Sequence, residues 1–248
     1  MRASRQSSTA REGRGADQDV EPRSVTFGIM ARAPVPGRCK TRLAQTVGNE
    51  CAAAIYAAML ADRIDAIEAL PAIRRVVLAA PEDQGVAALA RLVPAGWEVV
   101  AQEGQGLGER LAHAFETLCT GDGVVCVVDS DSPALVLAAS LSAIQESHED
   151  VLLGPCEDGG YYLIGMETAH RGLFENIPWS TAQVLGCTRH RASELLLSVR
   201  EIELGWDVDA ADDVGRLAEL LGRSPERAPR TAAALVTHGL LGRSPQVR

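Results

Sequence analysis

Between Ala31 and Leu43 the chain reads Ala-Arg-Ala-Pro-Val-Pro-Gly-Arg-Cys-Lys-Thr-Arg-Leu. Pro34, Pro36 and Gly37 stiffen and turn this segment, and Arg38, Lys40 and Arg42 follow at a spacing of two. Such a loop suits a phosphate chain. Lysine offers a point charge, arginine a fork of donors, and a stiffened backbone can present free N–H groups. The glycine and lysine pattern of a Walker A loop is absent, so any phosphate loop here is of another kind. A solvated basic turn is the alternative reading of the same residues.

Three acidic segments could supply the counterpart. Asp129-Ser130-Asp131-Ser132-Pro133 follows a strongly apolar run. Two carboxylates about 4 Å apart repel by roughly 4 kcal/mol at an effective dielectric of 20, a conflict that a hard divalent cation such as Mg2+ or Mn2+ resolves. The same residues could instead start a helix, with Ser132 or Asp131 at its N-cap and Pro133 in its first turn. Glu157-Asp158-Gly159-Gly160-Tyr161 joins two carboxylates to two glycines that allow a ligand close to the backbone, and reads equally as a hairpin turn. In Trp206-Asp207-Val208-Asp209, Asp209 could cap the helix that follows or join Asp131 on a metal.

These segments need a frame. Short apolar runs predict strands at Val25–Ala31, Arg75–Ala80, Glu98–Ala101, Gly123–Val128, Val151–Leu153, Tyr161–Gly165 and Arg200–Leu204. Helical spacing predicts helices at Asn49–Leu70, Pro81–Leu92, Gly108–Cys119, Ala134–Glu146, Thr181–Ser198 and Ala211–Leu221. This alternation predicts an α/β fold, a mostly parallel sheet with helices on both faces. Ligands of such sheets lie beyond the carboxyl ends of the strands, where the basic loop and the Asp129–Pro133 segment both fall.

Composition narrows the class. At 248 residues and 46% hydrophobic, the chain can bury one sizeable core. A net charge of −9 argues against nucleic acid as a partner, while a local basic loop can still hold phosphates. The six cysteines form no C-x-x-C pair, a pattern of reduced thiols that fits a cytoplasmic setting. No apolar run reaches spanning length, so no membrane partner is expected. Residues 1–23 read as a flexible extension, 24–222 as one α/β domain, and 223–248 as a tail with one further helix at Ala228–Leu235.

Taken in order, five blocks resemble the DUF2064 group of GT-A-fold transferases: Phe27–Ala44, Gln102–Phe115, Asp129–Leu135, Gly154–Gly165 and Ile177–Thr181. The similarity runs from about Val25 to Leu221, and implies a single GT-A, nucleotide-diphospho-sugar-transferase-like domain. The first block also resembles phospholactate guanylyltransferases and, more loosely, molybdenum-cofactor nucleotidyltransferases. The resemblance implies that Arg32, Pro36, Gly37, Arg38, Lys40 and Arg42, with Gly106, Glu109 and Arg110, hold a nucleotide. It implies Asp131 as principal metal ligand, with Asp209 and Asp207 at the second acidic position; Asp129 is a further metal candidate on its own spacing to Asp131. Glu157, Asp158, Gly159, Gly160 and Tyr161 would line the substrate side, and Lys40, Arg42, Asp131 and Asp158 would carry the catalysis. Asp129 departs from the family, which usually has Gly there; the substitution creates a literal D-x-D. Two reactions stay open. One is nucleotidyl transfer from a nucleoside triphosphate to a phosphate- or phosphonate-type molecule, with release of pyrophosphate. The other is glycosyl transfer from a nucleotide-sugar to a small-molecule acceptor. A non-catalytic nucleotide-binding protein is the third class.

Overall fold

A computed structural model describes residues 23–71, 74–80, 84–121, 123–132 and 137–241. The strands are β1 (Val25–Ala31), β2 (Arg74–Ala79), β3 (Glu98–Ala101), β4 (Val124–Val128), β5 (Val151–Pro155), β6 (Tyr161–Met166) and β7 (Val199–Glu201). The helices are α1 (Thr41–Val47), α2 (Asn49–Glu68), α3 (Gly85–Leu89), α4 (Leu107–Leu118), α5 (Leu137–Glu146), α6 (Val184–Glu194), α7 (Ala211–Arg223) and α8 (Pro229–Thr237).

The strands form one sheet in the order β3-β2-β1-β4-β6-β5-β7. β1 pairs parallel with β2 and β4, β2 with β3, and β5 with β7. β6 runs antiparallel to both of its neighbours. The expected mostly parallel α/β sheet is therefore present, with one inverted strand. Every residue of β4 is buried, as an unbroken Val-Val-Cys-Val-Val run requires when both faces of the strand are covered.

Each face has its own core. On one, Phe27, Ile29, Val77 and Val128 meet Leu60, Ile64 and Ile67 of α2 and Ile144 of α5. On the other, Val76, Val125 and Ile164 meet Leu111 and Phe115 of α4, and Phe115 stacks on Phe174 at 5.9 Å. A third cluster joins α1, α2, α7 and α8 through Leu43, Ile55, Leu217 and Leu235. Since α2 serves two cores, it is apolar over much of its circumference.

The differences from the sequence-based expectation have local causes. The basic loop runs directly into α1, a helix that the apolar spacing does not predict; Gly48, at φ +86°, ends it and separates it from α2. α6 is shorter than expected, because Leu196 at φ +58° breaks the helical path before Ser198. β7 is Val199–Glu201 and stops before Leu204. The expected helix starts at Pro81 and Ala134, and residues 1–22 and 242–248, lie outside the described residues.

The segment after Arg223 joins the third core through Ala228, Ala232 and Leu235. Its anchor is electrostatic. Asp62 of α2 accepts the Arg230 and Thr231 N–H groups at 3.0 and 2.8 Å and the Thr231 hydroxyl at 2.6 Å. A carboxylate on one helix thus caps the N-terminus of another. Asp62→Ala is expected to cost about 1 kcal/mol or slightly more, and hydrogen exchange should show lost protection in α8 before the sheet. Unchanged protection of residues 229–237 would contradict the cap.

Candidate functional site

The carboxyl ends of β1, β2, β3 and β4 open into one cleft of about 710 Å3. Arg32, Arg38, Lys40, Arg42 and Arg110 line it, against the two carboxylates of Asp131 and Asp209. Gly106 and Leu107, the first residues of α4, complete one wall. Cations and the positive end of a helix therefore face the same space, an arrangement that favours anions.

Local structure explains how Lys40 enters the cleft. It sits at φ +46°, ψ +48°, ahead of the first turn of α1, and this left-handed turn swings its side chain inward. The side chain is only 6% exposed, and its Nζ pairs with Asp131 and, at 3.2 Å, with Asp209 Oδ1. Burial alone would lower the Lys40 pKa, but the two carboxylates outweigh it and hold the ammonium protonated above the usual lysine range. Arg42 Nη1 reaches Asp209 Oδ2 at 2.9 Å from an exposed position, where solvent weakens the pair.

Two devices bring Asp131 and Asp209 together. The Asp131 carbonyl accepts the Val208 N–H at 3.2 Å, joining the turn after β4 to the segment before α7. Asp213 reaches back to the N–H groups of Asp209 and Ala210 at 3.0 and 2.7 Å and so caps α7. Asp209, read from sequence as a candidate cap, leaves that role to Asp213 and turns its carboxylate to the cations.

Asp129 points elsewhere. Its carboxylate accepts Arg63 Nη2 at 3.0 Å together with the hydroxyl and N–H of Ser132. Burial pushes this carboxyl up, while Arg63 pulls it back. Among the described residues, Cys156, Asp158 and Asp207 form a group of three whose ligand atoms all lie within 4.8 Å of one another. Burial and the neighbouring carboxylates push Cys156 up to about 12, so its thiol stays protonated and is a poor ligand. Asp207 is pushed up to about 6, first by burial, then by Asp131 and Asp158, with Lys40 opposing and Asp209 adding. Asp131, Asp158 and Asp209 thus all act on Asp207, and the charges of these four carboxylates exceed those of Lys40 and Arg42, which pair with Asp131 and Asp209. Hard oxygen donors in excess negative charge fit a divalent cation such as Mg2+ or Mn2+.

Among the other expected residues, Pro36, Gly37 and Glu109 do not line the cleft. Glu109 instead accepts the Gln105 N–H at 2.7 Å. Glu157 through Gly160 form the β5–β6 connection and Tyr161 opens β6, all outside the cleft. There Glu157 is bound at 2.6 and 2.8 Å by Arg216, which also stacks over Trp206. Gly159, at φ +88°, leaves a Cβ no room, since it would lie 2.2 Å from the Ala182 carbonyl oxygen. Gly160 donates its N–H to Asp158 at 2.8 Å. The hairpin reading of the glycine pair is what the structure shows. Tyr161 packs edge-on against Trp179, away from the cleft.

Tyr56, Ser130 and Gln102 are among the cleft residues that carry no assignment from the sequence. Tyr56 of α2 joins Ser130 at 3.0 Å and accepts the Arg32 N–H at 3.0 Å, tying the basic loop to the turn after β4. Gln102, at the end of β3, donates to the Leu78 carbonyl at 2.6 Å. Gln102 opens one of the family-like blocks and Ser130 lies inside the acidic segment after β4, whereas Tyr56 has no signal beyond its place in a helical pattern.

The family model described as "Uncharacterized protein conserved in bacteria (DUF2064)" matches residues 63–181. A protein from Desulfovibrio desulfuricans G20, provisionally named a nucleotide-diphospho-sugar transferase, is 30% identical; the match covers 88% of this chain and 96% of that one, with a TM-score of 0.79. The inositol-1-phosphate CTP transferase from T. maritima is 13% identical over 86% of this chain and 97% of its own, with a TM-score of 0.53. Rv0371C from Mycobacterium tuberculosis H37Rv, in complex with manganese, is 17% identical over 79% and 98%, with a TM-score of 0.51. The last two likenesses are likenesses of fold. A search of curated proteins gives no match. The fold is of the GT-A transferase type, and the chain belongs to the DUF2064 family.

The raised Asp207 pKa has a measurable consequence. The folded chain holds this proton more tightly than the unfolded one, so the group's contribution to stability is greatest in acid and is lost as pH rises through about 6. In a chelator, Asp207→Asn is expected to match the wild type near pH 4 and to exceed its stability at pH 8 by about 1–2 kcal/mol. Urea unfolding at the two pH values checks this; a variant less stable than wild type at pH 8 would contradict it.

Proposed function

We propose that this DUF2064 protein is a divalent-metal-dependent nucleotidyltransferase that joins a nucleoside triphosphate to a phosphate- or phosphonate-type small molecule. The observation that carries the reading is the concentration of five cationic side chains and a helix N-terminus around one cleft. A triphosphate brings more charge to neutralise than a sugar diphosphate does, and this cleft is built for charge.

In the proposed reaction an oxyanion of the acceptor attacks the α-phosphorus of the nucleotide. The bond to the β-phosphate bridging oxygen breaks, and pyrophosphate leaves with the electron pair. Lys40, Arg42, Arg38 and Arg110 bind the phosphates and offset the charge that builds on their oxygens. Asp131, with Asp209 and Asp207, would hold a Mg2+ or Mn2+ ion, which supplies Lewis-acid polarisation of the phosphoryl group. Asp158, which lies beside Asp207, would serve the acceptor side. No covalent enzyme intermediate is needed, because positioning and charge stabilisation suffice for phosphoryl chemistry.

Glycosyl transfer is the second reading, favoured by the name of the 30% identical relative. In that case Asp158 is the candidate base for an acceptor hydroxyl. The D-x-D sequence lends this reading less support than it would if both aspartates faced the cleft.

The two reactions release different products. Incubation with Mg2+, each nucleoside triphosphate and a panel of phospho- and phosphono-acids is expected to yield pyrophosphate. Acceptor-dependent release of UDP or GDP from nucleotide-sugars, with no pyrophosphate across the panel, would favour the second reading and overturn the first. Asp131→Ala is expected to lower the rate by about 100-fold or more in either case. Full activity in that variant would remove Asp131 from the proposed machinery.

A further inference from the structure

We propose that Arg63 and Asp129 form a positioning pair that aims Asp131 into the cleft, and that Asp129, despite its place in a D-x-D sequence, binds no cation. This inference rests on the reading of Asp131 as the cation-binding carboxylate.

The turn from Asp129 to Ser132 is held from below by one helix. Arg63 of α2 has a side chain only 4% exposed, and its Nη2 donates to Asp129 Oδ1 at 3.0 Å and to the Ser132 carbonyl at 2.5 Å. One guanidinium therefore grips both ends of the four-residue turn. The Asp129 carboxylate closes the turn by accepting the Ser132 hydroxyl and, at 3.4 Å, its N–H. The Asp129 N–H donates to the Tyr162 carbonyl at 2.9 Å, which ties the turn to β6. Tyr56, seven residues before Arg63 and so two helical turns away on the same face of α2, holds Ser130 at 3.0 Å. With residues 129, 130 and 132 held by α2, the side chain of Asp131 faces Lys40.

Both oxygens of Asp129 are thus engaged within the turn or by Arg63. A cation there would have to compete with a buried guanidinium, and freeing that guanidinium would leave it unpaired. The pair instead resembles in its logic the outer partners that orient metal ligands, whose loss typically weakens binding by about 10–100-fold.

Mn2+ binding to the full chain, followed by the EPR signal of the free ion, tests this without any assay of activity. Asp129→Asn keeps an acceptor for Arg63 and Ser132, and its Kd is expected to stay within about threefold of wild type, well short of the loss a true ligand shows. Asp129→Leu and Arg63→Met are each expected to weaken Mn2+ by about 10–100-fold. The double variant should be no weaker than either single one, because the two residues act as a unit. If Asp129→Leu does not fold, Arg63→Gln, whose shorter amide cannot reach both ends of the turn, carries the same test. Loss in Asp129→Asn equal to that in Asp131→Asn would make Asp129 a ligand and overturn the proposal. Wild-type affinity in folded Asp129→Leu, or in Arg63→Gln where that variant stands in, would reduce the pair to a structural role and overturn it too. A wild-type chain that binds no Mn2+ overturns the reading of Asp131, and the positioning role with it.

Discussion

The Lys40 ammonium, buried between Asp131 and Asp209, joins segments that are 91 and 169 residues from it in sequence. Each of the three would be costly alone: a buried cation without a partner, and carboxylates facing one another across a cleft. Together they satisfy one another, and the surrounding structure is arranged so that they can meet. β1 delivers the basic loop, β4 delivers the Asp131 turn at the adjacent position in the sheet, and α7 begins where Asp213 can cap it and leave Asp209 free. The ion pair is therefore both a structural clasp and a reserve of charge that a ligand can redirect.

Charge divides in space between the cleft and the region beside it. Arginines and the start of α4 dominate where β1, β2 and β3 end. Carboxylates dominate toward β5, β6 and the approach to α7, where Asp207 is raised by its neighbours. An anionic ligand and a divalent cation fit this division side by side, with Asp131 and Lys40 at the border. The inverted strand β6 contributes to it, since the β5–β6 connection carries Asp158 to within reach of Asp207.

Much of this was legible in the sequence, and the exceptions are instructive. β1 and β3 begin and end where their apolar runs do, because the residues that bound them cannot extend a buried strand. The proximity of Lys40 and Asp131 followed from both lying just past parallel strands. The direction of Asp129 could not follow from its spacing to Asp131, because a turn has no fixed side-chain period; it depends on Arg63, a helix residue 66 positions away. Glu157 and the glycine pair carried the look of a ligand loop, but the demands met there are those of a tight connection beside Ala182 and of a partner in Arg216. Tyr56 was hidden for the opposite reason: an aromatic at helical spacing reads as core, and its hydroxyl, which joins Ser130 to the basic loop, has no signature in one dimension.

The central claim is that the Lys40 loop and Asp131 hold opposite sides of one nucleotide–metal complex. Crystals grown with Mn2+ and a triphosphate bearing a non-cleavable α–β bridge test it most directly, through the anomalous signal of manganese. The account expects that signal at the Asp131 carboxylate, with the phosphates lying between it and the Lys40 and Arg42 side chains. Manganese bound only elsewhere, or phosphates that leave the Lys40–Asp131 pair untouched, would contradict it.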